Sequence, residues 1–388
     1  MGSLVCREIT NPSDMAALVP GWQALTNRVL EANPFYEPSF LQPLIDETGP
    51  YRGLQFWVVA PRDAPGDLRG VFPFHRRRVG PVILLSPFTR GRSGGQHIDI
   101  DLGVPLVDAA CADAVIDAVL DRVDCSWLIG LDWFALTEDG LFHRVLMDRL
   151  AARNQPSLDL GGWARPFFKP RADVETYFSA ALSKRRSSQV ARFRRRLERE
   201  GAVAFEVLHL HDDVQPWIET YFRLEASGWK GRQRSDVGAT VQMRNFFAAA
   251  MRRRHAQNGL FAYRLVVGEK VVAQTWVLRP ADGNVGLAWK MAYDEAYAKD
   301  SPGLQMQIAA IEFMHGPSPP LHMFDSCAHS QHSMLHWLLL DERSLVCRLV
   351  VANSRAHRAA LRLADRIRQW RAARPRPASP VDTSETDE

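Results

Sequence analysis

A mixed α/β fold in two halves is predicted by three features of the sequence. Short apolar runs alternate with helix-period segments along the whole chain, two-residue turn signals link three strands between residues 261 and 293, and Pro and Gly interrupt the pattern at 156–170. At 388 residues the chain can bury one large core or two ordinary ones. Its 46% hydrophobic and 24% charged residues, with 11 Trp and 19 Phe, exclude disorder for the bulk of it, as well as collagen-like and disulfide-scaffold classes. The longest apolar runs, such as Trp337-Leu338-Leu339-Leu340, fall far short of the ~20 residues of a membrane span.

The elements follow in order. A helix is predicted over 15–30, strands over 56–59, 68–75 and 81–85, and a helix over 109–123. The apolar segment 127–136 precedes a helical stretch over 142–153. Pro156, Gly161, Gly162, Pro166 and Pro170 then predict a link between domains spanning 1–165 and 166–373. Residues 173–200 read as one helix, with Asp173 and Glu175 at its positive end and Gly201 closing it. Next come a strand at 203–209, helices at 214–226 and 241–256, and a strand at 261–267. The turns Gly268-Glu269 and Asp282-Gly283 lead into strands 271–278 and 285–293. Ser301-Pro302-Gly303 opens a helix to about 314. A short strand at 321–324, a helical turn near 334–339, a strand at 345–351 and a basic helix at 354–373 complete the order. Residues 374–388, with three Pro and four acids, read as a disordered tail.

Charge and cysteine usage narrow the function classes. The net charge is +4, and the 48 basic residues, only six of them Lys, are spread along the chain, which speaks against a nucleic-acid footprint. Five scattered cysteines without a C-x-x-C pair suit reduced thiols. Charge at Arg7 and Glu8 precludes a signal-peptide core at the N-terminus, and Cys6 stands where a myristoylation start wants Ser or Thr; the expected location is cytoplasmic, with possible contact at the inner membrane face. Between Lys184 and Arg199, eight of sixteen residues are basic, and Leu182, Val190, Phe193 and Leu197 form an apolar stripe. A solvated face is the base expectation, and docking on an anionic membrane is the second.

Three places carry chemistry. The helix opened by Ser301, Pro302, Gly303, Leu304 and Gln305 offers unpaired N–H groups to a diphosphate, although an ordinary N-cap reads the same way. Asp325 at a strand end can cap the following turn or orient an amine, and His329 four residues on offers an imidazole as a candidate base. Cys327, His329, His332 and His336 lack the acidic residue of a metalloprotease helix, so no metal is expected.

The strings Leu224-Glu225-Ala226-Ser227-Gly228-Trp229-Lys230-Gly231-Arg232, Trp289 to Leu304, and Phe324-Asp325-Ser326-Cys327-Ala328 resemble acetyltransferases of the CelD/BcsL type, a GNAT-like group named for cellulose and exopolysaccharide biosynthesis. Asn33-Pro34-Phe35 and Pro38-Ser39-Phe40-Leu41 resemble the group's opening signature. The resemblance implies two GNAT-like halves as in Fem-type transferases, the C-terminal half holding the better-formed site for coenzyme A or acyl-coenzyme A. It further implies transfer of an acyl group to an amine. On this reading Asp325, His329 and Glu225 serve the proton route, Ser301 to Gln305 hold the cofactor, and Trp229, Lys230, Trp289 and Tyr293 line the substrate. Many members carry a Gly-rich, Tyr-Lys-containing stretch after the Asp, whereas this chain has His329, His332 and His336. Two rivals stand beside it: an aminoacyl-tRNA-dependent transferase of the Fem type and a non-catalytic module of a polysaccharide assembly.

Overall fold

A computed structural model describes residues 3–48, 54–79, 82–93, 96–125, 129–328 and 333–372. The first half runs β1 (Leu4–Ile9), α1 (Val19–Thr26), α2 (Pro38–Thr48), β2 (Leu54–Pro61), β3 (Gly70–Val79), β4 (Val82–Pro87), the hairpin β5 (Arg90–Ser93) and β6 (Gln96–Asp99), β7 (Leu106–Val107), α3 (Ala112–Asp124), β8 (Ile129–Thr137), α4 (Leu141–Ala152) and β9 (Ser157–Phe168). The second begins with α5 (Val174–Ala181) and α6 (Lys184–Glu200). It continues through β10 (Val203–Val207), α7 (Gln215–Ser227), α8 (Trp229–Arg232), α9 (Val241–Ala256), β11 (Leu260–Val267), β12 (Lys270–Leu278), β13 (Val285–Tyr293), α10 (Pro302–Met314), β14 (Met323–Asp325), α11 (Ser333–Leu338), β15 (Asp341–Val351) and α12 (Arg355–Ala372).

Twelve strands form one path, β1-β2-β3-β4-β8-β15-β9-β14-β13-β12-β11-β10. Read from its two ends, the path repeats itself: three antiparallel ladders, then a parallel pair, β4 with β8 on one side and β13 with β14 on the other. The last strand of each half crosses over. β9 pairs with β14 of the second half, β15 pairs with β8 of the first, and the two lie antiparallel from Asp341↔Phe167 to Val350↔Ser157. The mixed α/β fold with a mixed sheet is therefore as expected.

The exchange corrects the reading of 156–170 as a link. Residues 157–168 are a central strand, and the glycines that suggested a break serve the ladder instead. A Cβ at Gly162 would lie 2.0 Å from the Leu345 carbonyl, and Gly161, at φ +86°, sits where the register with β15 shifts. Residues 173–200 are two helices, because Ser183 breaks the run and its Oγ accepts from the Arg186 N–H at 3.3 Å, capping α6. Pro20 lies in the first turn of α1, and the predicted helix at 15–30 is a 3-10 turn at Pro12–Leu18 followed by α1. The sequence reading missed α2 altogether.

One core spans both halves. Phe40 of α2 meets Phe246 of α9 at 5.4 Å and Trp289 of β13 at 4.9 Å between ring centroids, edge to face. Beside them Arg254, 1% exposed, reaches Glu37 at 2.8 Å and donates to Ser39 Oγ, Pro34 O, Gly259 O and Arg279 O. A buried guanidinium with its donors satisfied this way stitches α2 to α9. A second cluster fills the other face of β11 to β13 beneath α5, α6 and α10, with Leu197, Tyr263, Met306 and Ile311 fully buried.

Candidate functional site

The site grows from a short ladder. β13 and β14 pair over Val285↔Met323, Gly286↔Phe324 and Leu287↔Asp325, after which β13 runs on through Ala288–Tyr293 while β14 ends. Gly286 permits the close approach, since a Cβ there would sit 2.4 Å from Leu321. Along its other edge β13 carries a bulge: Trp276 faces Lys290 and Val277 faces Ala288, leaving Trp289 surplus. That extra residue resets the alternation. Trp289 turns toward Phe35, Phe40, Phe246 and Phe247, whereas Met291 and Tyr293 join the core beneath α10. Strict alternation would put Trp289, Met291 and Tyr293 on one face of β13, and the bulge moves Trp289 off it. A cavity of about 160 Å³ opens where the strands part, lined by Thr275, Met291, Gln307, Cys327, Ala328 and Leu335 among others.

The first turn of α10 lies outside the cavity lining, behind Met291, and Gln307 one turn on is the α10 residue that borders it. Ser301, at φ 47°, makes no side-chain cap, and its carbonyl accepts from the Gln305 N–H at 3.1 Å. Pro302, Gly303, Leu304 and Gln305 are all buried. α6 lies against this end: Gln305 Nε2 donates to Val190 O at 3.0 Å, and Arg196 Nε stands 2.6 Å from the buried Asp300 carboxylate. A Cβ at Gly303 would meet the Met291 methyl and sulfur at 3.6 and 3.7 Å, ordinary van der Waals contact.

Asp325 is fully buried at the end of β14. Its Oδ1 lies 2.6 Å from Arg165 Nε of β9 and accepts from the Cys327 N–H at 2.9 Å; Oδ2 accepts from Arg165 Nη2 at 2.6 Å and Arg343 Nη1 of β15 at 3.0 Å. Three donors, with the Arg165 Nε charge contact beside them, occupy the two carboxylate oxygens. Burial pushes the carboxyl pKa up, but Arg165 and Arg343 more than offset it, so the group is held below the usual carboxylate range. Burial raises the neighbouring Cys327 thiol well above its ordinary value, so it stays protonated. The ion pairs continue outward: Arg165 Nη1 donates to Asp101 O, Arg343 Nη2 donates to Thr137 Oγ1, and Arg343 lies 3.5 Å from Glu31.

Glu225 is also buried, on α7. Its Oε1 accepts from Tyr221 Oη at 3.1 Å and Lys230 Nζ at 2.9 Å, and its Oε2 from the Val237 N–H at 2.7 Å. A hollow of about 40 Å³ beside it is lined by Glu225, Trp229, Lys230, Met291, Tyr293 and Glu295, so Met291 borders both cavities. Trp229 is 49% exposed at the rim, its N–H donating to Glu295 Oε1 at 2.6 Å. His329 and His332 lie outside the described residues, as does the tail. His336 stands 3.7 Å from Glu342, and among the described residues no group of three or more metal-ligating side chains converges.

The structure thus brings Trp289 to the cavity at the split and Glu225, Trp229, Lys230 and Tyr293 to the adjoining hollow, while Gln305 packs against α6 outside the cavity lining. Sequence reasoning missed Arg165 and Arg343, which pair with Asp325 across 160 and 18 residues, and Thr275 and Gln307, which lack a motif.

Residues 183–332 match the acetyltransferase (GNAT) domain family. This GNAT domain runs from the cap of α6 past the end of β14. In fold, the chain is similar to a conserved protein of unknown function from Bacteroides thetaiotaomicron VPI-5482, at a TM-score of 0.53 and 10% identity over 86% of this chain and 97% of that one. It also aligns with FemX, at 0.48 and 10% identity over 84% and 96%, and with a tandem GNAT protein from the clavulanic acid biosynthesis pathway, at 0.41 and 10% over 90% and 99%. No curated protein matches the sequence.

Proposed function

We propose that the protein is an acyl-coenzyme A-dependent N-acyltransferase of the CelD/BcsL kind, acting on an amine of a cell-envelope precursor, either an amino sugar or a long-chain amino lipid such as a sphingoid base. The parting of β13 from β14 inside the GNAT domain carries this reading, since the unpaired edge of β13 at Ala288–Tyr293 offers backbone groups to an extended thioester arm. The first turn of α10, Ser301 to Gln305, would receive the diphosphate, entering along the seam where Arg196 meets Asp300.

In the reaction the neutral amine attacks the thioester carbonyl, the C–N bond forms, the C–S bond breaks, the thiol leaves as coenzyme A and the amine gives up a proton. Asp325, with both oxygens held by guanidiniums, is proposed to position the end of β14 rather than to accept that proton. His329 and the Glu225–Lys230 pair are the proposed proton route, with Trp229, Trp289 and Tyr293 bordering the substrates. Calorimetry with coenzyme A and acetyl-coenzyme A tests the donor: micromolar binding is expected, and no binding of either would end the reading.

A second reading rests on α6. Its apolar stripe is spent on packing, with Leu197 fully buried and Phe193 nearly so, which removes it as a membrane-inserting face. Arg185, Arg192, Arg195 and Arg199 remain exposed at helical spacing on one side. Such a stripe suits a phosphate backbone as well as anionic lipid, so an aminoacyl-tRNA donor would show itself as RNA retained on the purified protein.

A further inference from the structure

The thioester cavity has a polar floor. Tyr263, Thr275 and Met291 are cross-strand neighbours in one row over β11, β12 and β13, and Gln307 of α10 lies above them. All but Met291 are more than nine-tenths buried: Tyr263 is 1% exposed, Thr275 2% and Gln307 6%. Tyr263 Oη donates to Gln307 Oε1 at 3.1 Å, which fixes the Gln307 amide with its nitrogen toward Met291 Sδ at 3.8 Å, a weak acceptor. Thr275 stands opposite Tyr263 on the neighbouring strand, and among the described residues its Oγ1 has no hydrogen-bond partner. A buried hydroxyl and a buried amide N–H without a strong partner each carry a desolvation cost of ~1–3 kcal/mol unless something bonds to them.

Both groups sit where the acyl part of a thioester lodged in the split would end, because Thr275 and Gln307 line the same cavity as Met291 and Cys327. The space is small. About 160 Å³ falls below the roughly 300–1,000 Å³ of pockets that enclose drug-sized ligands, too little for a long saturated chain. We infer that the cavity selects a short acyl group bearing a neutral oxygen, a hydroxyacyl or oxoacyl thioester, with Thr275 and Gln307 as its specificity-determining residues. The inference rests on the donor site proposed above. A site built to hydrogen-bond a substrate oxygen rejects the analogue that lacks it, because its own buried groups are then left unpaired. A carboxylate fits less well, since the row of Tyr263, Thr275 and Gln307 supplies no cation, and Lys290, which also lines the cavity, has its Nζ 5.6 Å from the Trp289 ring centroid.

Calorimetry with coenzyme A, butyryl-, 3-hydroxybutyryl- and palmitoyl-coenzyme A separates the possibilities. The wild type should bind the 3-hydroxybutyryl thioester about tenfold more tightly than the butyryl one, with palmitoyl weakest. Thr275→Val and Gln307→Leu should abolish that preference and leave coenzyme A itself unaffected, while Thr275→Ser should restore it. Equal binding of the two four-carbon thioesters, or preference for palmitoyl, would overturn the inference and leave the donor site standing. Failure of every thioester and of coenzyme A to bind would overturn both.

Discussion

The two halves share one strand plan and differ in what fills the opening between their parallel strands. In each, a parallel pair of strands parts after three residue pairs, Ile83↔Ile129 to Leu85↔Leu131 in the first half and Val285↔Met323 to Leu287↔Asp325 in the second. In the first half the long connection after β4 threads back into the opening: Ile100 N donates to Thr89 O, Gly103 N donates to Ala135 O, and Leu102 and Val104 are buried. Asn33 holds that segment through Leu102 O and Val104 O, and Gly103 is obligatory because a Cβ would lie 1.9 Å from Phe134 O. In the second half the connection from β13 to α10 is a 3-10 turn, Glu295–Asp300, and among the described residues the opening is a cavity of about 160 Å³. The same fold can therefore plug a split for stability or keep it for a ligand, and the length of one connection decides which. Arg165 joins the two outcomes, bonding the plug at Asp101 O and the open half at Asp325.

Breaking that joint should have the largest effect. Arg165→Ala leaves Asp325 buried and partly unpaired, with an expected loss of ~3–5 kcal/mol by urea denaturation. Because β9 and β15 are exchanged, the unfolding should remain one transition; two separated transitions would show that the halves fold apart. Next in size, Leu102→Ala in the plug should cost ~2–5 kcal/mol, yet leave the affinity for coenzyme A unchanged. Gly303→Val should do the converse, driving Met291 into the thioester cavity and weakening coenzyme A about tenfold by calorimetry with little change in melting temperature. If both variants lose binding, the comparison between the two openings fails.

Acid sharpens it further. The Asp325 carboxyl is held below the ordinary carboxyl pKa of ~3.9, so its ion pairs stabilise the fold at any pH above that value. That stability disappears as pH falls through the lower folded-state pKa, and the gap in melting temperature between wild type and Asp325→Asn should close only below about pH 4. The smallest effect is expected at the surface. Replacing Arg185, Arg192, Arg195 and Arg199 with Gln should leave stability within ~0.5 kcal/mol, and should lower any binding to anionic vesicles by up to ~1 kcal/mol per residue.

Much of the second half was legible from the chain. The turns at Gly268 and Gly283 have the positive φ that their dipeptides announced, and β11 to β13 lie where alternation placed them. The start of α10 at Pro302 was readable because proline at a first helical turn is a local signal. Asp325 was legible as a strand-end carboxylate, but its occupation was not: Arg165 stands 160 residues away and carries no motif. The bulge at Trp289 was hidden for a related reason, since it depends on how β12 pairs rather than on β13 alone.

Local chemistry therefore determined most of the strands and helices of the second half, the turns between them and the resemblance of 183–332 to a transferase domain, because each depends on residues near one another in the chain. The exchange of β9 with β15, the plug in one opening, the carboxylate locked by two guanidiniums and the polar floor of the other opening depend on contacts between distant segments. Periodicity carries no information about which strand a strand will pair with, so the sheet itself had to decide them.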